Sequence, residues 1–291
     1  MASVLDTDCD CSIYLTALIQ LGFTTVIRYY SRSPAKRLSE KEAIAVTRAG
    51  LKLCTVYQNR QRSREDFTTY SGEAAGRDAD DYARNVIYQP TGSAIYFSVD
   101  YDASEDDVTR SIRPFFEAVK QVMTAAGSAR GCYRVGVYGS GRVCRILTDV
   151  GLAELTWLSQ STGFAEYRDW LQGGRWNLRQ NLSSTVAGLR CDTNEANPAN
   201  PDFGAFSLET SAAMPERQPQ GPTPIGCYSV IARSLNVRSG PSIAFAVRNV
   251  LRFGTMVNVL ELKEDWALVS VEGDSAADGY CLSTLLHRIQ S

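Results

Sequence analysis

A single histidine, His287, stands among 291 residues. It lies near the end of the chain, in a stretch that reads as a separate module. Ser-His-Asp or Cys-His nucleophilic catalysis therefore has no base to use, and acid–base chemistry must rest mainly on carboxylates. Lysine is scarce as well: of 30 basic residues only Lys36, Lys41, Lys52, Lys120 and Lys263 are lysines. Acidic and basic residues nearly balance, for a formal charge of −2, which leaves no nucleic-acid footprint. No apolar run approaches the roughly 18 residues of a membrane-spanning helix, so membrane insertion is not expected. Met1-Ala2-Ser3-Val4-Leu5-Asp6 has neither the basic nor the apolar region of a signal peptide. The eight cysteines match no zinc pattern, since Cys9-Asp10-Cys11 has no CxxC partner and no nearby histidine. No metal and no cofactor are expected. Gly139-Ser140-Gly141 lacks phosphate-loop spacing and reads as a turn into a helix. The even cysteine count leans toward an oxidising destination.

What is present is an alternation of strand-like and helix-like segments up to about residue 207. Apolar runs at 3–5, 24–30, 51–57, 94–100, 133–138 and 155–160 read as strands, with shorter ones at 176–180 and 189–192. Ser39 with Glu42 and Ser104 with Asp107 form capping-box patterns that start helices. Residues 73–88 and 140–150 are also helix-like. Alternating βα units with near-continuous apolar strands imply a parallel sheet. Eight of them close into a (β/α)8 TIM-type barrel whose last two helices must be short or missing. Composition changes at residue 208. Residues 208–224 are a linker with four prolines after Ala212. Residues 225–291 carry short strands with turn signals and no helical period, which predicts a small all-β barrel.

Leu235-Asn236-Val237-Arg238-Ser239-Gly240-Pro241-Ser242 and the strand pieces after it resemble the bacterial SH3-like (SH3b) domain. The first 207 residues look like the glycoside-hydrolase-like barrel family catalogued as domain of unknown function 1906. The carriers are Ile27-Arg28-Tyr29-Tyr30-Ser31, Ile95 to Asp102, Arg134 to Gly139, and Cys191-Asp192-Thr193-Asn194-Glu195-Ala196-Asn197. That family is distantly similar to the family-25 muramidases. Those carry an Asp ending strand one, an Asp-x-Glu ending strand four and an Asp on strand eight. Asp6, Asp100 and Asp192 match these places, and Asp102 stands where that family has Glu. Within the SH3-like module Cys227 and Cys281 are expected to pair if the protein matures in an oxidising compartment.

In a barrel the site lies at the C-terminal strand ends. Asp6, Asp100, Asp102 and Asp192 are the catalytic candidates; Asp8, Asp10 and Glu195 are weaker ones. Asp100 and Asp102, two apart in extended chain, are expected to share a face. Crowded carboxylates keep one proton near neutral pH, as glycoside hydrolysis requires. Arg28, Tyr30, Tyr57, Tyr138, Trp157, Gln160, Gln180 and Asn194 are the candidates for holding sugar rings. The reading is a monomeric peptidoglycan-cleaving glycosidase, most simply a muramidase, acting at or beyond the cell wall, with bacterial peptidoglycan as partner. An endolysin, a secreted bacteriolytic enzyme and an antibacterial effector all suit it. The alternative is a carbohydrate-binding protein with a degenerate barrel.

Overall fold

The computed structural model describes residues 3–127, 131–208, 225–271 and 277–289. The chain divides into two compact units, Met1–Glu209 and Thr210–Ser291.

The first unit is a closed eight-stranded barrel. Its strands are β1 (Val4–Asp6), β2 (Thr25–Tyr30), β3 (Lys52–Tyr57), β4 (Ala94–Ser98), β5 (Arg134–Gly139), β6 (Leu155–Leu158), β7 (Leu178–Val186) and β8 (Leu189–Ala196). β1 to β7 pair in parallel. Helices α1 (Leu15–Gln20), α2 (Glu40–Arg48), α3 (Thr69–Tyr82), α4 (Glu105–Asp107) with α5 (Arg113–Gly127), α6 (Gly141–Asp149) and α7 (Tyr167–Gly173) fill the first six crossings. Ser39, Thr68, Ser104 and Ser140 cap α2, α3, α4 and α6, each accepting from a backbone N–H three residues on. The predicted box at α2 is only half made. The Glu42 carboxylate leaves Ser39 and turns inward to Arg28.

The eighth unit departs from the regular βα repeat. β8 runs antiparallel to both β7 and β1. The cause is local. Ala187 and Gly188, at φ +52° and +91°, form a two-residue turn, and so short a link joins only antiparallel strands. No crossover helix fits between β7 and β8.

Two cores follow from strand alternation. Val4, Ile27, Cys54, Val56, Ala94, Tyr96, Leu155, Trp157 and Leu178 fill the barrel interior. Leu5, Val26, Leu53, Ile95, Phe97, Val135 and Val137 pack outward against the helices. Gly136 makes room for the Tyr96 ring, since a Cβ there would lie 2.6 Å from it. Beneath the barrel the chain returns along the strand starts. Phe206 pairs with Leu53, and Gly204 accepts from the Ala94 N–H.

The second unit is an antiparallel sheet of β9 (Gly226–Val230), β10 (Ser234–Arg238), β11 (Val247–Arg252), β12 (Met256–Lys263), β13 (Trp266–Ser270), β14 (Gly279–Leu282) and β15 (Leu286–Arg288). Their order is β11-β10-β14-β13-β12-β9-β15. Val230, Leu235, Val237, Val257, Val259, Val269 and Cys281 form its core. The expected Cys227–Cys281 bridge is absent, and all eight thiols are free. Two strands, β13 and β12, separate β14 from β9, which lies between β12 and β15. Most of the 208–224 linker lies outside the described residues.

Candidate active site

A cavity of about 330 Å³ opens at the C-terminal ends of β1 to β7. Asp6, Asp100 and Asp192 line it, together with Tyr29, Lys36, Gln58, Arg62, Ser98, Tyr138, Trp157, Gln160, Gln180 and Arg190.

Asp6 ends β1 and is buried, at 2% exposure. Its Oδ1 accepts from the Tyr29 hydroxyl at 3.0 Å. Its Oδ2 accepts from Gln180 Nε2 at 3.0 Å and Asn194 Nδ2 at 2.8 Å. Asp192 sits directly across from it on β8. One Gln180 nitrogen bridges the two carboxylates, at 3.1 Å from Asp192 Oδ2. Burial pushes Asp6 up to about 6, with the Asp192 charge adding to the rise and the three donors opposing it.

Asp100 lies just past β4. Its N–H is fixed by the Gln61 carbonyl at 2.8 Å, and its Oδ2 accepts from Gln58 Nε2 at 3.1 Å. Burial raises its pKa, while Arg62, Gln58 and Lys36 pull it down. The Tyr29 and Tyr138 phenols are pushed well above their usual range, first by burial and then by the carboxylates. Both therefore stay neutral and act as donors: the Tyr138 hydroxyl donates a hydrogen bond to Gln180 Oε1 at 2.8 Å.

Of the eight candidates for holding sugar, Tyr138, Trp157, Gln160 and Gln180 line the cavity. Asn194 stands behind it, fully buried, joining Asp6 to the Trp157 indole, whose N–H it accepts at 2.7 Å. The other three lie elsewhere. Arg28 points outward into a buried ion pair with Glu42 at 2.7 Å and donates to the carbonyls of Thr7 and Lys36. Tyr30 donates to Gln89 at 2.6 Å, and Tyr57 donates to Asp78 at 3.2 Å. Strand alternation sends Ile27 and Tyr29 inward instead, so the inward parity on β2 is opposite to the one expected. On β3 it selects Val56 and, just beyond the strand, Gln58.

Asp102 is also outside the cavity. β4 ends at Ser98, so the two-residue alternation no longer holds at 100–102. The Asp102 carboxylate instead accepts from the Ala165 N–H at 2.8 Å. Asp192 is inside, but in the middle of β8 rather than at its C-terminal end, because that strand is reversed. Asp8 lines the rim and pairs with Arg190 at 2.9 Å. Asp10 is exposed and accepts from the Ser12 N–H. Glu195 pairs with Arg179 away from the cavity.

Tyr29, Lys36, Gln58, Ser98 and Arg62 escaped the sequence reading. Tyr29 was hidden because both faces of β2 are apolar. Lys36 and Arg62 come from loops, where no periodicity marks direction. Among the described residues no group of three or more His, Cys, Asp or Glu side chains is arranged to hold a metal ion.

Residues 16–200 match the model of the Rv2525c-like, glycoside hydrolase-like domain. The chain belongs to that family. Residues 233–287 match the bacterial SH3 domain. Two uncharacterized proteins of Bacillus subtilis strain 168 are similar to this chain. FadG is 29% identical over 175 residues, covering 58% of this chain and 30% of FadG. YbfG is 30% identical over 193 residues, covering 61% of this chain and 26% of YbfG. The chain thus spans less than a third of either protein. Among solved structures, the Tat-secreted protein Rv2525c of Mycobacterium tuberculosis superposes with a TM-score of 0.58 at 22% identity. That match covers 70% of this chain and 98% of the other. In this glycoside-hydrolase-like family member the carboxylate-lined cavity sits where a barrel carries its site.

Proposed function

We propose that the chain is a cell-wall glycosidase of muramidase type. A barrel over residues 1–207, built on a TIM-type plan with a reversed last strand, supplies the chemistry. An SH3-like module over 225–291 binds peptidoglycan, tethered through 208–224. The observation that carries this reading is the convergence of Asp6, Asp100 and Asp192, from three separate strands, on one cavity. Glycoside hydrolysis needs a protonated acid beside a second carboxylate. Asp6, pushed up to about 6, retains a proton in mildly acidic solution, where an ordinary carboxyl has lost it. Asp192, sharing the Gln180 donor, and Asp100 are the carboxylates that steady the oxocarbenium-like sugar or direct water. Trp157 and Tyr138, packed edge to face at 4.8 Å, offer an aromatic wall, and Gln160 and Gln180 offer amides for sugar hydroxyls. The proposed place of action is the wall or beyond it, in line with the secreted mycobacterial relative.

A second reading, a carbohydrate-binding barrel without chemistry, rests on Asp102, whose carboxylate is occupied outside the cavity. One experiment separates them: digestion of purified peptidoglycan, borohydride reduction and mass analysis of soluble fragments. Reduced muramic-acid ends are expected. Reduced glucosamine ends indicate the other glycosidic bond, and no fragments favour the binding protein.

A further inference from the structure

The cavity wall is chemically two-sided. Arg190 on β8, Lys36 after β2 and Arg62 after β3 stand on the side formed by β8, β1, β2 and β3. Tyr138, Trp157 and Gln180, on β5, β6 and β7, with Gln160 just past β6, stand opposite. Arg190 is neutralised by Asp8, with 2.9 and 3.2 Å contacts to both oxygens. Lys36 is different. Its ammonium is half-buried, lies 3.9 Å over the Tyr29 ring and donates to one neutral acceptor, Gln58 Oε1, at 2.5 Å. An ammonium has three donors, so two remain for the cavity. Arg62 meets Asp100 only at 3.7 Å and keeps its guanidinium largely exposed. The Ser98 hydroxyl, on the cavity lining, is buried with no protein partner. Asp8, Asp100 and Asp6 act on this ammonium by charge at a distance and not through a hydrogen bond, so its spare donors are left to take an anionic oxygen of a ligand.

We propose that Lys36, assisted by Arg62, forms a carboxylate-binding subsite, and that the preferred glycan bears a free carboxylate on the sugar ring seated there. This rests on the glycan-binding reading above but not on hydrolysis. In peptidoglycan such a group is the lactyl carboxylate of a muramic acid whose stem peptide has been removed. An amide-hydrolysing reaction must then supply the substrate: it breaks the lactyl amide with water and leaves the carboxylate on the sugar and the amine on the peptide.

The test is calorimetric binding to the full-length protein, which reads the subsite whether or not the barrel cuts. The probes are the N-acetylglucosaminyl–N-acetylmuramic acid disaccharide repeat as free acid and as its neutral lactyl amide. The wild type should bind the acid roughly ten-fold more tightly, the range of one charge-assisted hydrogen bond. In Lys36→Met that preference should collapse to near unity, and in Arg62→Gln, at an exposed position, it should shrink. A muropeptide with its lactyl group amide-linked to the stem should bind like the amide. If it instead binds like the acid, in a Lys36-dependent way, the subsite stands and its carboxylate belongs to the stem. Equal affinity of the wild type for acid and amide overturns the subsite. So does no binding of either, or a Lys36→Met that weakens both alike, which marks Lys36 as a mere support for Gln58. Cleavage of peptidoglycan with no preference for the acid overturns the subsite while leaving the glycosidase reading intact. Preference without cleavage does the reverse.

Discussion

Asp6 concentrates the tension of the site in one residue. Its folded pKa of about 6 lies above the ordinary 3.8, so the folded state binds its proton more tightly than the unfolded chain. The stability it contributes is complete below pH 4 and is lost as the pH rises to about 6. A rise of that size corresponds to about 3 kcal/mol. Asp6→Asn keeps the shape, and its amide can accept from Gln180 and Asn194 while donating to the Tyr29 oxygen. It should raise stability by about 1–3 kcal/mol at pH 7.5 and much less at pH 4, measured by urea unfolding at both pH values. The same variant should lower peptidoglycan turnover by about 10²–10⁴-fold. A stabilised protein with wild-type turnover removes Asp6 from the chemistry. Arg28 makes the opposite case. It was legible as a charged residue on a barrel strand, but its direction was not. The apolar alternation of Ile27, Tyr29 and Tyr30 fits either face, and only the buried Glu42 carboxylate decides it. Arg28→Met should cost about 3–5 kcal/mol by leaving that carboxylate unpaired. Urea unfolding measures that cost; because Arg28 also holds the Thr7 and Lys36 carbonyls, any fall in glycan affinity follows from displaced neighbours and should stay well below the loss given by Lys36→Met.

At the scale of elements, the strands and the larger helices were legible because their apolar runs and caps are local signals. The reversed β8 was not. Its signal is Ala187-Gly188, a weaker turn pair than Asn-Gly, set in a segment whose alternation is interrupted. The ladder shifts register between Gln180 and Ser183, which breaks the period-two pattern. Asp102 was misplaced for a related reason: alternation was extended past the point where β4 stops. The turn itself can be tested. Ala187→Asn places a residue tolerant of positive φ at +52° and should stabilise by about 0.5–1 kcal/mol. Gly188→Val, at φ +91°, should destabilise by about 1–2 kcal/mol. Because β8 carries Asp192 and Asn194, Gly188→Val should also weaken glycan binding. Thermal melts together with calorimetry separate the two effects. In the second unit the Leu235–Ser242 signature has a plain cause. Leu235 and Val237 enter the core. Arg238 ties the following turn by donating to the carbonyls of Ile243 and Phe245. Gly240 leaves room for the Phe245 ring, which a Cβ would approach to 2.8 Å.

The whole molecule packs as two units, Met1–Glu209 and Thr210–Ser291. Each has its own hydrophobic cluster, so each should keep its fold alone. Deleting residues 213–291 should leave a barrel that melts cooperatively and acts on soluble wall fragments as before, while its action on intact sacculi falls. Turbidity clearing set against fragment release measures the division. Loss of both activities, or aggregation, means the small module is needed for the barrel itself. The barrel has a further property. Its chain leaves underneath: Gly204 and Phe206 are stitched to the starts of β4 and β3, while the cavity opens at the opposite strand ends. A barrel coupled to a sensor chip through residue 208 would thus stand with its mouth toward the flowing sample. Such a surface should capture glycan at nearly full occupancy, whereas random coupling through lysines would also use Lys36 and blind part of the population.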